Sequence, residues 1–204
     1  MVISTSNYCF RFTELHGFSE TIQKVQTWQL IDYIQPYSNL PWIIGGDFNE
    51  VLSDNEKQGG ILRARSQINN FHDCLARNNL YDCKPKDGWF TWTKSGPNTP
   101  AIFERLDRFV ATSDWFHLFP NQHAISSFHP KSNHSIITMS TNYTKSLPSS
   151  PHITISSVLK TVGLAVKFVS ILYKTPGNKP MVLSMKSSKL LEPISKVGNL
   201  TNAL

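Results

Sequence analysis

Residues 41–49 read PWIIGGDFN, an apolar run that ends in a polar turn. A short apolar run bounded by turn residues is typical of a buried strand, so we predict a strand that delivers Asp47 and Asn49 to its end. Ligand sites of α/β sheets favour the carboxyl end of a strand. The alternative is an ordinary turn in which these two side chains only satisfy backbone amides. The stretch alone therefore predicts the strand and leaves the chemistry of the turn open.

Helical patterns flank this strand. Before it, residues 21–35 carry apolar side chains three positions apart, and Pro36 ends the pattern. Those side chains belong to Ile22, Val25, Trp28, Ile31 and Ile34. A similar stripe predicts a second helix near residues 68–79, and short strand patterns follow at residues 90–93, 105–111 and 136–139. Strands that alternate with helices indicate an α/β layered domain.

The net charge of +6 is unevenly distributed over the 204 residues. Residues 1–60 carry three basic and seven acidic side chains, residues 61–143 nine and six, and residues 144–204 eight and one. The basic excess lies in the last segment, so it does not predict a basic nucleic-acid groove in the first 143 residues. Because residues 145–152 are rich in Ser and Pro, they read as a linker. We predict one domain over residues 1–143 and a linker with a lysine-rich tail over residues 144–204.

Lysines recur every seven positions in the tail, at Lys160, Lys167 and Lys174. The surrounding apolar residues predict a helix over residues 158–173. Such a helix either packs on the domain with its lysines in solvent or makes weak contact with an anionic surface or a nucleic acid. Both interpretations remain open at this point.

The three cysteines are Cys9, Cys74 and Cys83, which lie far apart with no Cys-x-x-Cys pair. This odd number and spacing suit neither a disulfide scaffold nor a zinc site, so we expect an intracellular, reducing compartment. No stretch reaches the roughly 18 apolar residues that a membrane span needs. Residues 1–12 lack the basic and apolar regions of a secretory signal. We therefore expect neither a membrane span nor a signal.

Three further motifs follow the first in chain order: Phe90-Thr91-Trp92, Arg105-Leu106-Asp107-Arg108 and Ser132-Asn133-His134. With the Gly-Asp-Phe-Asn turn, they resemble the endonuclease/exonuclease/phosphatase superfamily. The resemblance is greatest to the C-terminal half of the apurinic-type endonuclease domain of plant non-LTR (LINE-like) retrotransposons. That family carries a Gly-Asp-x-Asn turn, an Arg-Leu/Ile-Asp strand and a Ser-Asp-His strand. The resemblance covers about residues 8–143 and implies a two-sheet α/β sandwich in which the polar strand ends converge.

The resemblance also implies a reaction, the hydrolysis of a DNA phosphodiester assisted by Mg²⁺ or Mn²⁺. In the retrotransposon this nick primes reverse transcription, which implies a nuclear site of action. Asp47 would orient or activate the attacking water or protonate the leaving oxygen, and Asn49 would hold a phosphate oxygen. His134 would stabilise the phosphate or act as a base, with Asp107 fixing its ring. His16 would bind the substrate.

The sequence departs from the family in three ways. The family's N-terminal half, which supplies an Asn, an Asp and the main metal-binding Glu, has no counterpart here, and residues 1–12 leave room for one strand only. We therefore expect a truncated, partial sandwich. The family's Ser-Asp-His has become Ser-Asn-His, so Asn133 occupies a degenerate metal position without a carboxylate. The family's Tyr-Gly appears as His16-Gly17. These departures leave two hypotheses, a degenerate phosphodiesterase and a non-catalytic remnant or binding protein with a basic tail.

Overall fold

The computed structural model describes residues 1–4, 9–141, 152–158, 168–174 and 181–186. Within these ranges the chain is a mixed α/β structure with two five-stranded sheets and one three-stranded sheet. The two larger sheets enclose one hydrophobic core, and two helices enclose a second core on the outer face of the first sheet. The predicted α/β layering is therefore confirmed.

The first sheet consists of β1 (Val2–Ser4), β2 (Cys9–His16), β3 (Trp42–Asp47), β5 (Leu80–Cys83) and β8 (Asp107–Thr112). Its strand order is β1-β2-β3-β8-β5. Strands β2 and β3 are parallel, whereas β8 is antiparallel to both β3 and β5. A parallel pair requires a crossover, and a helix between β2 and β3 provides it.

The second sheet consists of β9 (His123–Ser127), β10 (Ile136–Ser140), β11 (His152–Val158), β12 (Phe168–Lys174) and β13 (Met181–Lys186). Its strands follow the order β13-β12-β11-β10-β9 and every pair is antiparallel. The small third sheet has the order β4-β7-β6, formed by β4 (Lys57–Gln58), β6 (Trp92–Gly96) and β7 (Thr99–Glu104).

Strand β3 is buried on both faces because its alternate side chains enter different cores. Ile43 belongs to the core between the two large sheets, together with Phe109 of β8 and Met139 of β10. Trp42 and Ile44 belong to the core beneath the helices. Side chains of a strand alternate between its faces, so a strand covered on both sides needs an uninterrupted apolar run. The strand predicted from the apolar run is confirmed.

In the part of the chain that the structure describes, three α-helices accompany the sheets: α1 (Lys24–Ile34), α2 (Arg65–Arg77) and α3 (Ser113–Leu118). Trp28 of α1 stacks on Phe71 of α2 with ring centroids 4.6 Å apart, which joins the two helices over the first sheet. Within the described ranges, no helix combines the length and apolarity that crossing a membrane requires.

The buried face of α1 differs from the predicted stripe. Trp28 and Ile31 are buried as expected, but Ile22 is 87% exposed and Val25 is 49% exposed. Lys24 faces inward instead and is only 4% exposed. The physical reason is an ion pair with the buried Glu50, which follows β3. A pattern of apolar residues carries no information about such a pair.

The helix predicted over residues 158–173 is wrong in its described part. Val158 ends β11, and Phe168–Lys174 forms β12. Strand β11 pairs with β10, and its residues Ile153 and Ile155 are buried in the core between the sheets. Residues 168–174 do not alternate in polarity, and β12 forms because it pairs with β11 along its whole length. Residues 142–151, which contain the predicted domain boundary and most of the predicted linker, lie outside the described residues.

Candidate active site

The topology of the first sheet brings three predicted site residues to one edge. Strands β2 and β3 are parallel, so their last residues, His16 and Asp47, are direct register partners. Strand β8 runs the other way, so its first residue, Asp107, is the register partner of Asp47 on the other side. Adjacent strands lie about 4.8 Å apart. The three polar side chains therefore meet where β3 ends.

The turn after β3 holds Asp47 through Asn49. The Asn49 backbone N–H donates to Asp47 Oδ1 at 2.8 Å, and its side-chain Nδ2 donates to Asp47 Oδ2 at 3.0 Å. Nδ2 also donates to the carbonyl of Gly17 at 2.8 Å. Asn49 adopts φ +52°, a left-handed conformation that Asn tolerates better than most residues. The bond from the Asn49 N–H to Asp47 is the kind that an ordinary turn makes. Together with the bonds of Nδ2, it fixes the orientation of the buried Asp47 carboxylate.

Two glycines permit this close approach of backbone segments. A Cβ atom at Gly17 would lie 2.8 Å from the Phe48 carbonyl oxygen, and the Gly17 N–H donates to the Asp47 carbonyl at 2.7 Å. Gly46 has φ +145°, and a Cβ atom there would lie 2.0 Å from the Leu15 carbonyl oxygen. A side chain at either position would force β2 and the turn apart. These glycines therefore allow His16 and Asp47 to share one edge.

His134 reaches the same edge from the second sheet. Its Nδ1 atom lies 2.9 Å from Asp107 Oδ2, and its side chain is 9% exposed. A bridge between His134 and Trp92 and a hydrogen bond from Ser135 N–H to the Thr91 carbonyl, 2.7 Å long, hold the segment before β10. The hydroxyl of Thr91 in turn accepts the N–H of Asp107 at 2.8 Å. One segment, residues 91–92, therefore aligns both partners of the pair.

The electrostatics of the site centre on Asp47, whose side chain is 2% exposed. Burial raises the pKa of Asp47 to about 6, and the neighbouring Asp107 carboxylate raises it in the same direction. His134, the Asn49 N–H and His16 oppose this increase. The His16 Nδ1 atom lies 3.6 Å from Asp47 Oδ2, and its side chain is 49% exposed. The site thus combines a buried, proton-retaining carboxyl group with a solvent-accessible imidazole.

Asp47, Asp107 and His134 form a group that could hold a metal ion. Each offers one ligand atom, and these atoms all lie within 4.8 Å of one another. Two carboxylates and one imidazole suit a divalent cation such as Mn²⁺ or Zn²⁺, whereas Mg²⁺ prefers a shell made of oxygen atoms. The donor set therefore fits a divalent cation without identifying which one.

Asn133, the residue predicted for a degenerate metal position, is exposed. Its backbone carbonyl accepts a hydrogen bond of 2.9 Å from the Thr93 N–H, which continues the alignment of this segment beside β6. The metal role of Asn133 stays a prediction. The structure does bring together Asp47, Asn49, Asp107, His134 and His16, the other residues predicted for the site.

The sequence analysis did not identify the residues that hold the backbone of the site in place. Thr91 accepts the backbone N–H groups of both Leu106 and Asp107, at 3.0 and 2.8 Å. Lys24 donates to the carbonyl of Asn49 at 2.6 Å and to Glu50 at 2.8 Å. Thr91 lies inside one of the quoted motifs and Glu50 directly follows another, but no pattern in the sequence links Lys24 to either.

A buried cluster of charged side chains lies next to Asp107. Arg105 and Arg108 flank Asp107 in sequence, and both donate to Glu56 at 2.7 Å. Arg105 also binds Asp82 of β5 through two bonds of 2.8 and 2.9 Å. All four side chains are at most 13% exposed. The cluster ties the loop after β3 and strand β5 to the start of β8.

The chain was compared with protein-family models and with curated proteins. No protein-family model matches the chain, and no curated protein matches it either. The case for a function therefore rests on the motifs and on the geometry described above.

Proposed function

We propose that these residues form the phosphate-handling part of a divalent-metal-dependent phosphodiesterase site of the endonuclease/exonuclease/phosphatase type, with DNA as the substrate class. The observation that carries the proposal is the convergence of Asp47, Asn49, Asp107 and His134. These residues span 88 positions of the sequence yet share one sheet edge. The order of the motifs, which resembles a retrotransposon endonuclease, supports the same reaction class.

The geometry supports a distinct role for each side chain. Asp107 accepts a hydrogen bond from His134 Nδ1–H, which leaves Nε2 to accept a proton or, once protonated, to donate to a phosphate oxygen. Asp47 retains a proton more readily than an ordinary carboxyl group, because burial raises its pKa to about 6. It is therefore suited to protonate a leaving oxygen or to orient a water molecule. Asn49 Nδ2 donates to Asp47 Oδ2 and to the Gly17 carbonyl, so Asn49 holds the Asp47 carboxylate in place.

Alternatively, Asp47, Asp107 and His134 would hold a divalent cation, and in that case His134 Nε2 and the ionised Asp47 carboxylate would be ligands and would not carry protons. When bound, such a cation supplies charge stabilisation to a phosphate and lowers the pKa of a bound water. The separation of their ligand atoms, within 4.8 Å, is compatible with one shared ion. The family's main metal-binding Glu has no counterpart in the 204 residues, so we propose cation binding together with little turnover.

One observation favours a second candidate function, a non-catalytic binding protein. Asn133 stands where the family carries a carboxylate, and it is exposed. An amide there removes one negative charge from the surroundings of a hard cation. Residues 144–204, with eight basic side chains and one acidic, would then supply weak contacts to DNA or another anionic surface.

The test is Mn²⁺ binding by the full chain, measured by isothermal titration calorimetry. We expect Asp47→Ala and His134→Ala each to weaken binding by at least about tenfold, because each removes a ligand. His117→Ala, which removes an exposed histidine of α3, is the matched control and should bind like the parent. Parent protein that binds no Mn²⁺, or binding that survives both substitutions, would contradict the proposal.

A further inference from the structure

Lys24 is an unusual member of the buried face of α1. Its side chain is 5% exposed, although lysine is rarely buried so deeply without a specific partner. The neighbouring apolar residues Ile22 and Val25 face solvent in its place. The first turn of α1 thus buries the charge of Lys24 while leaving Val25, and Ile22 of the preceding 3₁₀ turn, exposed, which hydrophobic burial alone does not explain.

The partners of Lys24 belong to the turn that carries the candidate site. Its Nζ atom donates to the Asn49 carbonyl at 2.6 Å and to Glu50 Oε2 at 2.8 Å. The Lys24 ammonium group therefore holds both Asn49 and Glu50, the second and third residues after Asp47. Replacing a buried ion pair with apolar residues often leaves stability unchanged or increases it, so stability alone is a weak reason for this pair.

Glu50 is itself held from three further directions and is completely buried. Its Oε1 atom accepts the Val51 N–H at 3.1 Å and lies 3.5 Å from Arg63 Nε. Its backbone carbonyl accepts a hydrogen bond from Arg108 of β8 at 3.2 Å. Glu50 is thus a fixed anchor, and Lys24 connects that anchor to the Asn49 carbonyl.

Asn49, which directly precedes Glu50, adopts a left-handed backbone conformation. Asn49 has φ +52°, which is sparsely populated outside glycine and persists where the surroundings determine it. In this conformation its N–H and Nδ2 both donate to the Asp47 carboxylate. If the Asn49 carbonyl were released, φ and ψ of Asn49 could relax and the turn could open, which would withdraw the N–H and Nδ2 donors from the carboxylate.

We propose that the buried Lys24–Glu50 pair is a positioning element that locks Asn49 in its left-handed turn and thereby sets the orientation of the Asp47 carboxylate. Lys24 and Glu50 act through Asn49 and are positioning residues. The metal-affinity consequence of this role rests on the proposed function, whereas its effect on the turn does not.

The test compares hydrogen exchange in the parent chain and in the double variant Lys24→Met/Glu50→Gln, followed residue by residue by NMR. This variant removes both charges at similar volume, so no uncompensated charge is left buried. We expect the Asn49 amide to exchange at least about tenfold faster, the effect of losing one charge-assisted hydrogen bond. The Ile44 and Val110 amides, which report on the same sheet, should change less than about threefold.

The comparison variant is Lys57→Met/Glu104→Gln, which removes a buried Lys–Glu pair of the third sheet and, with it, the Glu104 partner of Arg63. A purely structural role predicts that each double variant accelerates exchange throughout the sheet nearest to it, so that Ile44 changes as much as Asn49 in the Lys24 variant. Selective acceleration at Asn49 in the Lys24 variant alone supports the proposal. Equal changes at Asn49 and Ile44, or none at Asn49, would overturn it.

A single variant keeps the test decisive if the double variant does not fold. Lys24→Gln retains a donor for the Asn49 carbonyl but loses the charge, and Arg63 remains beside Glu50. We expect a smaller but still selective acceleration at Asn49, and none would overturn the proposal.

A second readout separates this inference from the proposed function. In the Lys24→Met/Glu50→Gln variant, Mn²⁺ should bind about tenfold more weakly, as when the support of a metal ligand is removed. If the parent chain binds no Mn²⁺, the proposed function fails while the exchange result still decides the positioning role. If the parent binds Mn²⁺ and the variant binds it equally well with an unchanged Asn49 amide, the positioning role alone fails.

Discussion

The Nδ1 atom of His134 lies 2.9 Å from Oδ2 of Asp107, across a separation of 27 residues. Asp107 begins β8 of the first sheet and His134 lies two residues before β10 of the second sheet, and Thr91 is hydrogen-bonded to Asp107 and to Ser135, the neighbour of His134. The pair is therefore a consequence of how the two sheets are joined. A neutral imidazole in this geometry donates from Nδ1 and keeps Nε2 as an acceptor.

This pair predicts the tautomer of His134. In the parent chain, ¹⁵N NMR at a pH where the ring is neutral should report its proton on Nδ1. In Asp107→Ala the acceptor is lost, so the ring should shift toward the Nε2–H form that free histidine prefers. His117 on α3 provides an internal control, because its ring should give the same signals in both proteins. An Nε2–H ring in the parent would contradict the assigned role of Asp107.

Asp47 predicts how stability depends on pH. Its folded-state pKa of about 6 lies above the ordinary value of 3.8, so folding favours the protonated form. The stabilisation that comes from protonated Asp47 is fully present below about pH 4 and is lost as pH rises through about 6. A shift of about two units corresponds to at most about 3 kcal/mol.

We therefore expect Asp47→Asn to increase the free energy of unfolding at pH 7 by roughly 1–3 kcal/mol relative to the parent, with the difference shrinking toward pH 4. Urea unfolding between pH 4 and pH 7 in the presence of EDTA measures this difference without bound cations. Asp54→Asn, at an exposed position, should show no such trend. A variant that is less stable than the parent at every pH would show that the hydrogen bonds from Asn49 outweigh the burial of charge.

The ion cluster behind Asp107 predicts a large effect of Glu56. Glu56 accepts hydrogen bonds from both Arg105 and Arg108, and the Arg108 guanidinium contributes most to lowering its pKa, against the effect of burial. Glu56→Ala should lower the free energy of unfolding by about 3–5 kcal/mol, because it removes the closest carboxylate partner of the buried Arg108, which keeps only a carboxylate contact of 3.5 Å with Asp82.

Asp54→Ala is the matched control for Glu56, since both residues lie in the same short 3₁₀ turn. Its pair with Arg65 is exposed, so the loss should stay within about 1 kcal/mol. Urea unfolding of both variants gives the comparison. Equal losses would show that the cluster around Glu56 does not stabilise the fold more than a surface pair does.

The departures from the family pattern predict that the 204 residues do not nick supercoiled plasmid DNA with Mg²⁺ or Mn²⁺. The family's main metal-binding Glu has no counterpart in them, and Asn133 offers no charge. Loss of a single acid–base group already lowers rates by about 10²–10⁴-fold. Agarose gels of plasmid incubated with purified protein give the measurement. Nicking that disappears in both Asp47→Ala and His134→Ala would show that three protein ligands suffice for catalysis.

Local patterns in the sequence determined the elements that hold the site. The apolar run of residues 41–46 predicts β3, and the stripe of Ile68, Phe71 and Leu75 predicts α2, because the spacing of apolar side chains is a local property of the chain. The four motifs, in order, also identified Asp47, Asn49, Asp107 and His134 as candidates. Their convergence was an expectation from the resemblance, since spacing alone does not set distances between strands.

Only the tertiary structure decided the burial of Lys24 and the conformation of residues 168–174. Lys24 is buried against Glu50 although apolar residues were available for that face, and the lysine-bearing segment Phe168–Lys174 forms a strand where a helix was expected. Both outcomes depend on partners far away in sequence, an anionic side chain in one case and a neighbouring strand in the other. Hydrophobic periodicity records which residues avoid water, whereas ion pairs and strand pairing depend on which distant groups the fold brings into contact.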